Sequence, residues 1–381
     1  MKLRKHHKLA AAAAALLLTL TLCVTALGEA PDWGSMAEAI PAAQRAQAGL
    51  EADAPLLTEA LLPAGSSISD WTALAMARTG LDDDYAGYLA RLRDYVEGQY
   101  RENGGLHRTK ATEYHRIALT VAALGGDPTA FGTAPDGAAI DLLRDGVFCW
   151  QGDAALGGQG LNGLIFALLA IDAVGAESPA DALYTRQSLL EQLVAAQLPD
   201  GGFSLSGGGS MDVDITAMAL QALAPYQADY ADVIDSAISA LSAAQLPGGG
   251  FASWDVENME SSAQVILALC ALDIDPAAEE RFRKEGGSVV DALLDYRLPD
   301  GSFAHELGAA SDAMACEQAM QALCAMARQQ QGEAHFFDLR DVEPRAVPDS
   351  GSSAALVAIP AGAAVLAAAL VLILRKKREK H

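Results

Sequence analysis

The chain has 381 residues, of which 51% are hydrophobic and 6% aromatic, and its formal net charge is −23. Between residues 29 and 353, 17 Lys and Arg stand against 48 Asp and Glu, so this part carries a charge near −31. Such a surface repels nucleic acid and anionic lipid, which excludes a nucleic-acid-binding function.

The N-terminus has the pattern of a secretory signal peptide. Basic residues lie between Lys2 and Lys8, and an apolar run follows from Leu9 to Leu22. Val24-Thr-Ala26 or Gly28-Glu-Ala30 then offers a small-residue cleavage site. This order of a basic, an apolar and a small-residue region predicts a signal peptide over residues 1–28 and export of the rest of the chain.

Six Ala/Leu-rich segments that are apolar nearly all round predict six inner helices, as expected of helices packed on several sides. They begin near residues 70, 113, 162, 214, 260 and 315. Between them, apolar residues at helical spacing and charge on one face predict six solvent-facing outer helices. These cover residues 36–62, 83–100, 136–144, 181–197, 230–245 and 276–297.

A turn phrase recurs three times with a period near 50 residues, at 197–203, 245–251 and 297–303. Each copy has Leu-Pro at its second and third positions, Gly at its fifth and Phe at its seventh. Proline ends the preceding helix, glycine permits a positive φ, and the Phe is free to pack between layers. A repeat of this length predicts a repeat architecture. We therefore expect an all-α fold, an (α/α)6 toroid of six helical hairpins over residues 29–335.

The C-terminus predicts a membrane anchor. Residues 336–353 read as a linker, in which Val347-Pro-Asp-Ser-Gly351 resembles the Leu-Pro-x-Thr-Gly sorting signal of Gram-positive surface proteins. Residues 354–374 are apolar and uncharged, which suits a transmembrane helix, and the basic tail 375–381 is then cytoplasmic. The toroid is expected outside the cell, anchored at its surface.

The cysteines give no metal-ligand spacing. Cys149, Cys270, Cys316 and Cys324 remain after export, and no Cys-x-x-Cys or paired His accompanies them. We expect no metal site and buried free thiols, with a Cys270–Cys316 disulfide as the alternative.

The turns and the Asp-x-Thr-Ala helices resemble the repeats of the prenyltransferase, squalene cyclase and transcobalamin/intrinsic factor superfamily, over roughly residues 60–330. The resemblance implies a toroid with a central cavity. Asp212-Val-Asp-Ile-Thr-Ala217 is similar to the acid motif of squalene-hopene cyclases, which puts Asp214 at the proton-donor position and Asp212 before it. Ile215 stands where that motif has its last Asp.

The same resemblance implies two further branches. The zinc and diphosphate residues of protein prenyltransferases are not visible in this sequence. The transcobalamin branch binds cobalamin without catalysis, and segments after Asp214 and Ser262 resemble its inner helices.

Polar residues near the starts of the inner helices are expected to converge at the mouth of the toroid cavity, the default place for a ligand. Each also has a structural explanation, as a cap, a turn residue or a partner of a neighbouring helix. These candidate ligand-binding residues are Asp70, His115, Arg116, Asn162, Asp212, Asp214, Glu260, Gln264, Glu317 and Gln318.

From the sequence we expect a non-catalytic binding or interaction module, with a small molecule or a surface component as partner and the membrane held through the C-terminal helix. No cofactor is required, and cobalamin is the candidate ligand. Two alternatives stay open. One is a terpene cyclase- or prenyltransferase-like enzyme with Asp214 as general acid, and the other is a carbohydrate-active toroid that uses Asp212, Asp214 or Glu260.

Overall fold

The computed structural model describes residues 31–253 and 256–348. Helices dominate this part of the chain. They are α1 (Trp33–Gln47), α2 (Ser67–Arg78), α3 (Tyr85–Asn103), α4 (Thr112–Ala123), α5 (Asn162–Ala173), α6 (Arg186–Ala195), α7 (Val213–Leu223), α8 (Ala231–Ala244), α9 (Met259–Ala271), α10 (Val289–Leu294) and α11 (Ala313–Gln331).

Six helices form a closed inner ring. In chain order α2, α4, α5, α7, α9 and α11 each pack on the next, and α11 packs back on α2. The predicted α/α toroid is therefore confirmed. These helices begin within three residues of the positions predicted from the sequence. Their apolar character and small side chains allow each helix to pack closely on both neighbours.

The outer layer is less regular than the sequence suggested. Residues 136–144 were expected to form a helix, yet this outer position holds a π-helical turn, Arg144–Phe148. Pro135 and Gly137, whose φ is +87°, prevent a helix before it. The outer helix predicted at 36–62 ends at Gln47, shortly before Gly49 with φ +70°.

The stretch predicted as a helix at 276–297 also divides into smaller elements. A 3-10 turn, Glu280–Phe282, is followed by the strands β3 (Arg283–Lys284) and β4 (Gly287–Ser288) and then by α10. A second hairpin joins β1 (Phe251–Ser253) to β2 (Val256–Asn258). Consecutive glycines at 286 and 287 make the tight β3–β4 turn possible, and they break the helical period there.

The three turn phrases have one geometry, and each contacts the next outer element around the ring. Gly201, Gly249 and Gly301 have φ of +90°, +97° and +95°. A Cβ placed on them would lie 2.6 Å from the Ser236 carbonyl oxygen, 2.7 Å from the Ser288 carbonyl oxygen and 3.0 Å from the Ala39 Cβ respectively. Because Ala39 is in α1, the last turn packs on the first helix and closes the outer layer.

Residues 333–348, here named the C-terminal strap, pack across the C-terminal ends of the inner helices instead of forming the free linker that the sequence suggested for 336–353. Arg78 at the end of α2 donates to the carbonyl oxygens of His335, Phe336 and Asp338 and pairs with Asp341 at 2.7 Å. The Leu339 amide donates to the Ala173 carbonyl oxygen at 3.0 Å. The strap thus covers one end of the ring.

The predicted signal peptide 1–28, the transmembrane segment 354–374, the tail 375–381 and most of the sorting-like motif lie outside the described residues. Within 31–253 and 256–348, no helix has the length and apolar character needed to cross a membrane.

Candidate functional site

The inner ring encloses a central cavity of about 160 Å³, here named the lumen, in the half of the ring where the inner helices begin. Three aromatic rings line one side of it. The ring of Trp71 lies 5.8 Å from that of Phe166 and 6.3 Å from that of Phe337, measured between centroids. Phe337 comes from the C-terminal strap, so the strap supplies the floor of the lumen.

The other side of the lumen is polar, and its side chains are joined across three inner helices. Gln221 of α7 donates to the Gln264 Oε1 of α9 at 3.0 Å, and Gln264 donates to the Gln318 Oε1 of α11 at 3.0 Å. Gln321 donates to the Glu317 carboxyl one turn away. Gln264, Glu317 and Gln318 were predicted at this site, and the structure does bring these three together.

Glu317 is the most unusual of these groups, because it is a buried carboxyl. Burial raises the pKa of Glu317 well above its ordinary value, the Gln321 hydrogen bond opposes this, and the nearby charge of Glu260 adds to it. Among the described residues, no cation pairs with Glu317. The protonated acid is therefore favoured, and it offers an O–H donor inside an aromatic-walled cavity.

Glu260 and His305 form a pair at the start of α9. The His305 Nδ1 and the Glu260 Oε2 are 2.8 Å apart, with the carboxyl buried and the imidazole partly exposed. Burial raises the pKa of Glu260, and the hydrogen bond with Glu260 raises the pKa of His305. Glu260 was expected at the cavity mouth, but it does not line the lumen.

The two acidic residues of the cyclase-like motif lie at the rim, outside the lumen. Asp212 is the N-cap of α7, and its side chain accepts from the Ile215 amide at 3.0 Å. Asp214 faces Ser261 and Ser253, and burial raises its pKa although those hydroxyls act to lower it. Neither carboxyl lines the lumen, so the expectation that they converge there was wrong.

Asp70 and Arg116 lie in the wall of the ring and do not reach the mouth. Arg116 Nε donates to Asp70 at 2.9 Å, Arg116 also pairs with Glu113 at 2.8 Å, and the Tyr88 hydroxyl donates to Asp70 at 2.6 Å. Ser66, not Asp70, caps α2. The pair joins α2, α3 and α4, which is a structural role.

His115 and Asn162 are also outside the lumen. His115 is fully buried, its Nε2 lies 2.8 Å from the Gly146 carbonyl oxygen, and burial lowers its pKa to about 4. It is neutral at physiological pH and fixes the π-helical turn against α4. Asn162 is the half-buried first residue of α5 and does not line the lumen.

Nine residues that line the lumen were missed by sequence reasoning: Ser67, Ile68, Trp71, Phe166, Met218, Gln221, Met314, Gln321 and Phe337. A signal existed for Gln321, since it follows Glu317 by four residues and so shares its helix face. No such signal existed for Phe337, because the sequence predicted a linker at this position.

The four cysteines Cys149, Cys270, Cys316 and Cys324 are free thiols. Within the described ranges, no group of three or more His, Cys, Asp or Glu side chains could hold a metal ion.

Residues 155–342 match the prenyltransferase alpha-alpha toroid domain family. This part of the chain belongs to that family. The match covers the last four inner helices, which are α5, α7, α9 and α11, and most of the strap. The strap is therefore part of the prenyltransferase-type toroid. No curated protein matches the chain in sequence.

Two solved structures show the same toroid. Protein geranylgeranyltransferase-I from Candida albicans, in complex with GGPP, has a TM-score of 0.51 and 12% identity, covering 79% of this chain and 94% of that chain. Unsaturated glucuronyl hydrolase from Bacillus sp. GL1 has a TM-score of 0.50 and 15% identity, covering 81% and 98%. At these identities, the likeness concerns the fold alone.

Proposed function

We propose that this toroid is a small-molecule-binding domain whose site is the lumen. Its ligand is a small, uncharged molecule with a flat apolar body and one hydrogen-bond acceptor. The observation that carries this proposal is Glu317, a buried carboxyl without a counter-charge that lines the lumen together with three aromatic rings.

The size of the lumen sets the size of the ligand. A cavity of about 150 Å³ lined by apolar side chains accommodates a single benzene ring, and the lumen is about 160 Å³. A corrin ring or a long polyprenyl chain would not be enclosed by it. The structure thus adds no support for cobalamin, and we do not extend the proposal to it.

The polar side of the lumen sets the chemistry of the ligand. A protonated Glu317 donates a hydrogen bond. Gln318 is the last of the three hydrogen-bonded glutamines, and its amide nitrogen makes no hydrogen bond with a described residue. Two donors and no fixed cation favour a carbonyl or amide oxygen over a carboxylate. An anionic ligand would lose its hydration in the lumen, and no Lys, Arg or His among the described residues lines the lumen to compensate its charge.

A direct test uses benzamide and benzoate, which share a shape and differ in charge. The full-length chain, purified in mild detergent, is titrated with each while saturation-transfer NMR and Trp fluorescence are recorded. We expect saturable benzamide binding that changes the emission of Trp71, and no benzoate binding.

Matched variants localise the signal. Met218 lines the lumen, so Met218→Trp fills it and should abolish benzamide binding. Leu183 is exposed, so Leu183→Trp is the control and should bind as wild type. Benzamide binding that persists in Met218→Trp, or no binding at all, would overturn the proposal.

Acid catalysis is the second candidate function, and the structure favours Glu317 over Asp214 as the proton donor, since only Glu317 lines the lumen. Glu317→Gln separates the two functions. The amide still donates a hydrogen bond, so a binding protein keeps its benzamide affinity, whereas an enzyme loses proton transfer. Product analysis of small alkenes and enol ethers incubated with wild type and variant decides between them.

The carbohydrate-active alternative has less support, because Asp212 caps α7 and Glu260 pairs with His305. Export and surface anchoring remain proposals from the sequence. Protease treatment of intact cells tests them, since an exposed toroid would be cleaved while the cytoplasmic tail stays protected.

A further inference from the structure

We propose that a second cavity, at the opposite end of the ring, binds an organic cation, namely an amine with an apolar body. This cavity, here named the strap cavity, has a volume of about 710 Å³ and lies between the ends of α5, α7 and α9 and the strap residues 335–340. Its volume is within the usual range for ligand sites. The proposal does not depend on the function proposed for the lumen.

Helix ends give the strap cavity a negative potential. Ala173, Ala224 and Ala271 line it, and they stand at or directly after the last residues of α5, α7 and α9. The carbonyl groups at a helix C-terminus lack partners within the helix, and the helix dipole is negative there. Three such ends on one cavity favour a cation.

The side-chain charges act in the same direction. Both arginines that line the cavity are paired, Arg186 with Asp172 at 2.7 Å and Arg340 with Asp338 at 2.7 Å. Glu177 also lines the cavity, and its carboxylate makes no ion pair with any described residue. One uncompensated negative charge is left to pair with a ligand.

The remaining walls suit the body of an amphiphilic amine. Leu169, Leu267, Phe336 and Phe337 present apolar and aromatic surface. The faces of aromatic rings attract an ammonium group within about 6 Å of the ring centroid. A ligand can therefore place its ammonium near Glu177 and its apolar body against the strap.

A buried acceptor supports the same ligand class. Gln221 is 5% exposed and lines both the strap cavity and the lumen. Its Nε2 is used by Gln264, so its amide oxygen is left to accept a hydrogen bond from a ligand N–H. Phe337 lines both cavities as well, so these two side chains form the wall between them.

The test uses three probes with the same body, 2-phenylethylamine, phenylacetate and 2-phenylethanol, titrated into the full-length chain by calorimetry and saturation-transfer NMR. We expect saturable binding of the amine alone. Glu177→Gln removes an exposed charge and should weaken amine binding by about two- to fivefold. Glu191→Gln, an exposed carboxylate on α6 that does not line the cavity, is the control and should have no effect.

Two further variants keep the proposal falsifiable. Ala271→Phe places an aromatic ring in the cavity, where it obstructs the apolar wall, and should weaken amine binding. Glu177→Lys, at an exposed position that the fold does not require, should abolish it even where Ala271→Phe folds poorly. Amine affinity that Glu177→Lys leaves unchanged, or equally tight binding of phenylacetate or 2-phenylethanol, would overturn the proposal, as would no binding of the amine.

The lumen variant Met218→Trp separates the two sites. It should abolish benzamide binding and leave 2-phenylethylamine binding as in wild type. Loss of both would place the amine in the lumen and contradict a separate strap site.

Discussion

At the scale of single residues, the buried pair of Arg116 and Asp70 shows how a charge enters an apolar ring. Arg116 is surrounded by two carboxylates and the Gly65 carbonyl oxygen, so its donors are satisfied without water. Although burial opposes the charged guanidinium, Asp70 and Glu113 raise the pKa of Arg116. Removing Asp70 leaves the buried Arg116 with Glu113 as its one remaining carboxylate, and removing Arg116 leaves Asp70 buried without a cation. Either loss costs more than the pair contributes.

We therefore expect Asp70→Leu to lower the free energy of unfolding by about 3–5 kcal/mol. The double variant Asp70→Leu/Arg116→Met should be less destabilised than Asp70→Leu alone. Chemical denaturation of the variants measures these free energies of unfolding. If the double variant lost as much stability as the two single variants together, Asp70 and Arg116 would not be coupled. Arg144→Met, which breaks a more exposed pair with Asp181, is the control and should change stability little.

His115 predicts a specific dependence of stability on pH. Its pKa in the folded protein is lowered to about 4, whereas the unfolded chain has about the ordinary value of 6.5. Between these values the unfolded state binds more protons, so its stabilising contribution is complete above pH 6.5 and decreases as the pH falls toward 4. The loss is at most about 3 kcal/mol.

His115→Gln keeps a donor for the Gly146 carbonyl oxygen and removes the titration. We expect this variant to lose most of the stability slope between pH 6.5 and 4 that wild type shows in denaturant titrations. An unchanged slope would assign the acid sensitivity to other groups. His305 acts with the opposite sign, because its raised pKa makes its contribution complete at low pH and lost as the pH rises.

The lumen was only partly predictable at this scale. Gln264, Glu317 and Gln318 were predictable because polar residues in an apolar helix must find a partner or a cavity. Trp71 and Phe166 were not, since an aromatic residue in such a helix looks like ordinary core. Asp70, His115 and Arg116 were misplaced because sequence does not fix which side of an inner helix faces the wall and which faces the lumen.

At the scale of elements, the turn phrase was the part of the sequence that predicted the structure most reliably. Its Phe residues, Phe203, Phe251 and Phe303, are fully buried, as expected. The first two copies also share a glutamine bridge. Gln197 donates to the Val233 carbonyl oxygen and Gln245 to the Phe282 carbonyl oxygen, each in the next outer segment. The outer helices were less predictable, because short segments with glycine and proline lose the helical period.

Gly249 provides a test of this turn geometry. We expect Gly249→Ala to destabilise the protein by more than about 1 kcal/mol, because alanine disfavours φ +97° and its Cβ would overlap the Ser288 carbonyl oxygen. Gly308→Ala is the matched control, since Gly308 has φ +78° but open space around it. The midpoint temperature of thermal unfolding should be lower for Gly249→Ala than for Gly308→Ala. Equal midpoints would mean that the positive φ alone, and not the contact with Ser288, determines the loss of stability.

At the scale of the whole molecule, the sequence predicted the ring but not the way in which it is covered. The repeat and its period near 50 residues led directly to six inner helices. The role of residues 336–348 was not visible, because a strap without regular secondary structure has no periodic pattern. Its attachment depends on long-range contacts of Arg78 and on the Arg345 amide, which donates to the Gly125 carbonyl oxygen at 2.7 Å.

Arg78 should therefore control how firmly the strap is held. We expect Arg78→Met to increase amide hydrogen exchange in residues 334–342 at least about tenfold while α4 and α5 stay protected, because four contacts of one side chain are lost. Exchange measured by mass spectrometry checks this. Uniformly faster exchange throughout the ring would show instead that Arg78 supports the whole fold. Arg340→Met, whose side chain is exposed, is the control.

The contact of Gly301 with Ala39 gives the chain a circular order that open arrays of helical repeats lack. In an open array, each unit interacts only with its neighbours, so end units fray and units can be added or removed. Here the last turn packs on the first helix, so no repeat is terminal. Deletion of α1 should therefore loosen first the turn that contains Gly301, although the two lie at opposite ends of the toroid sequence.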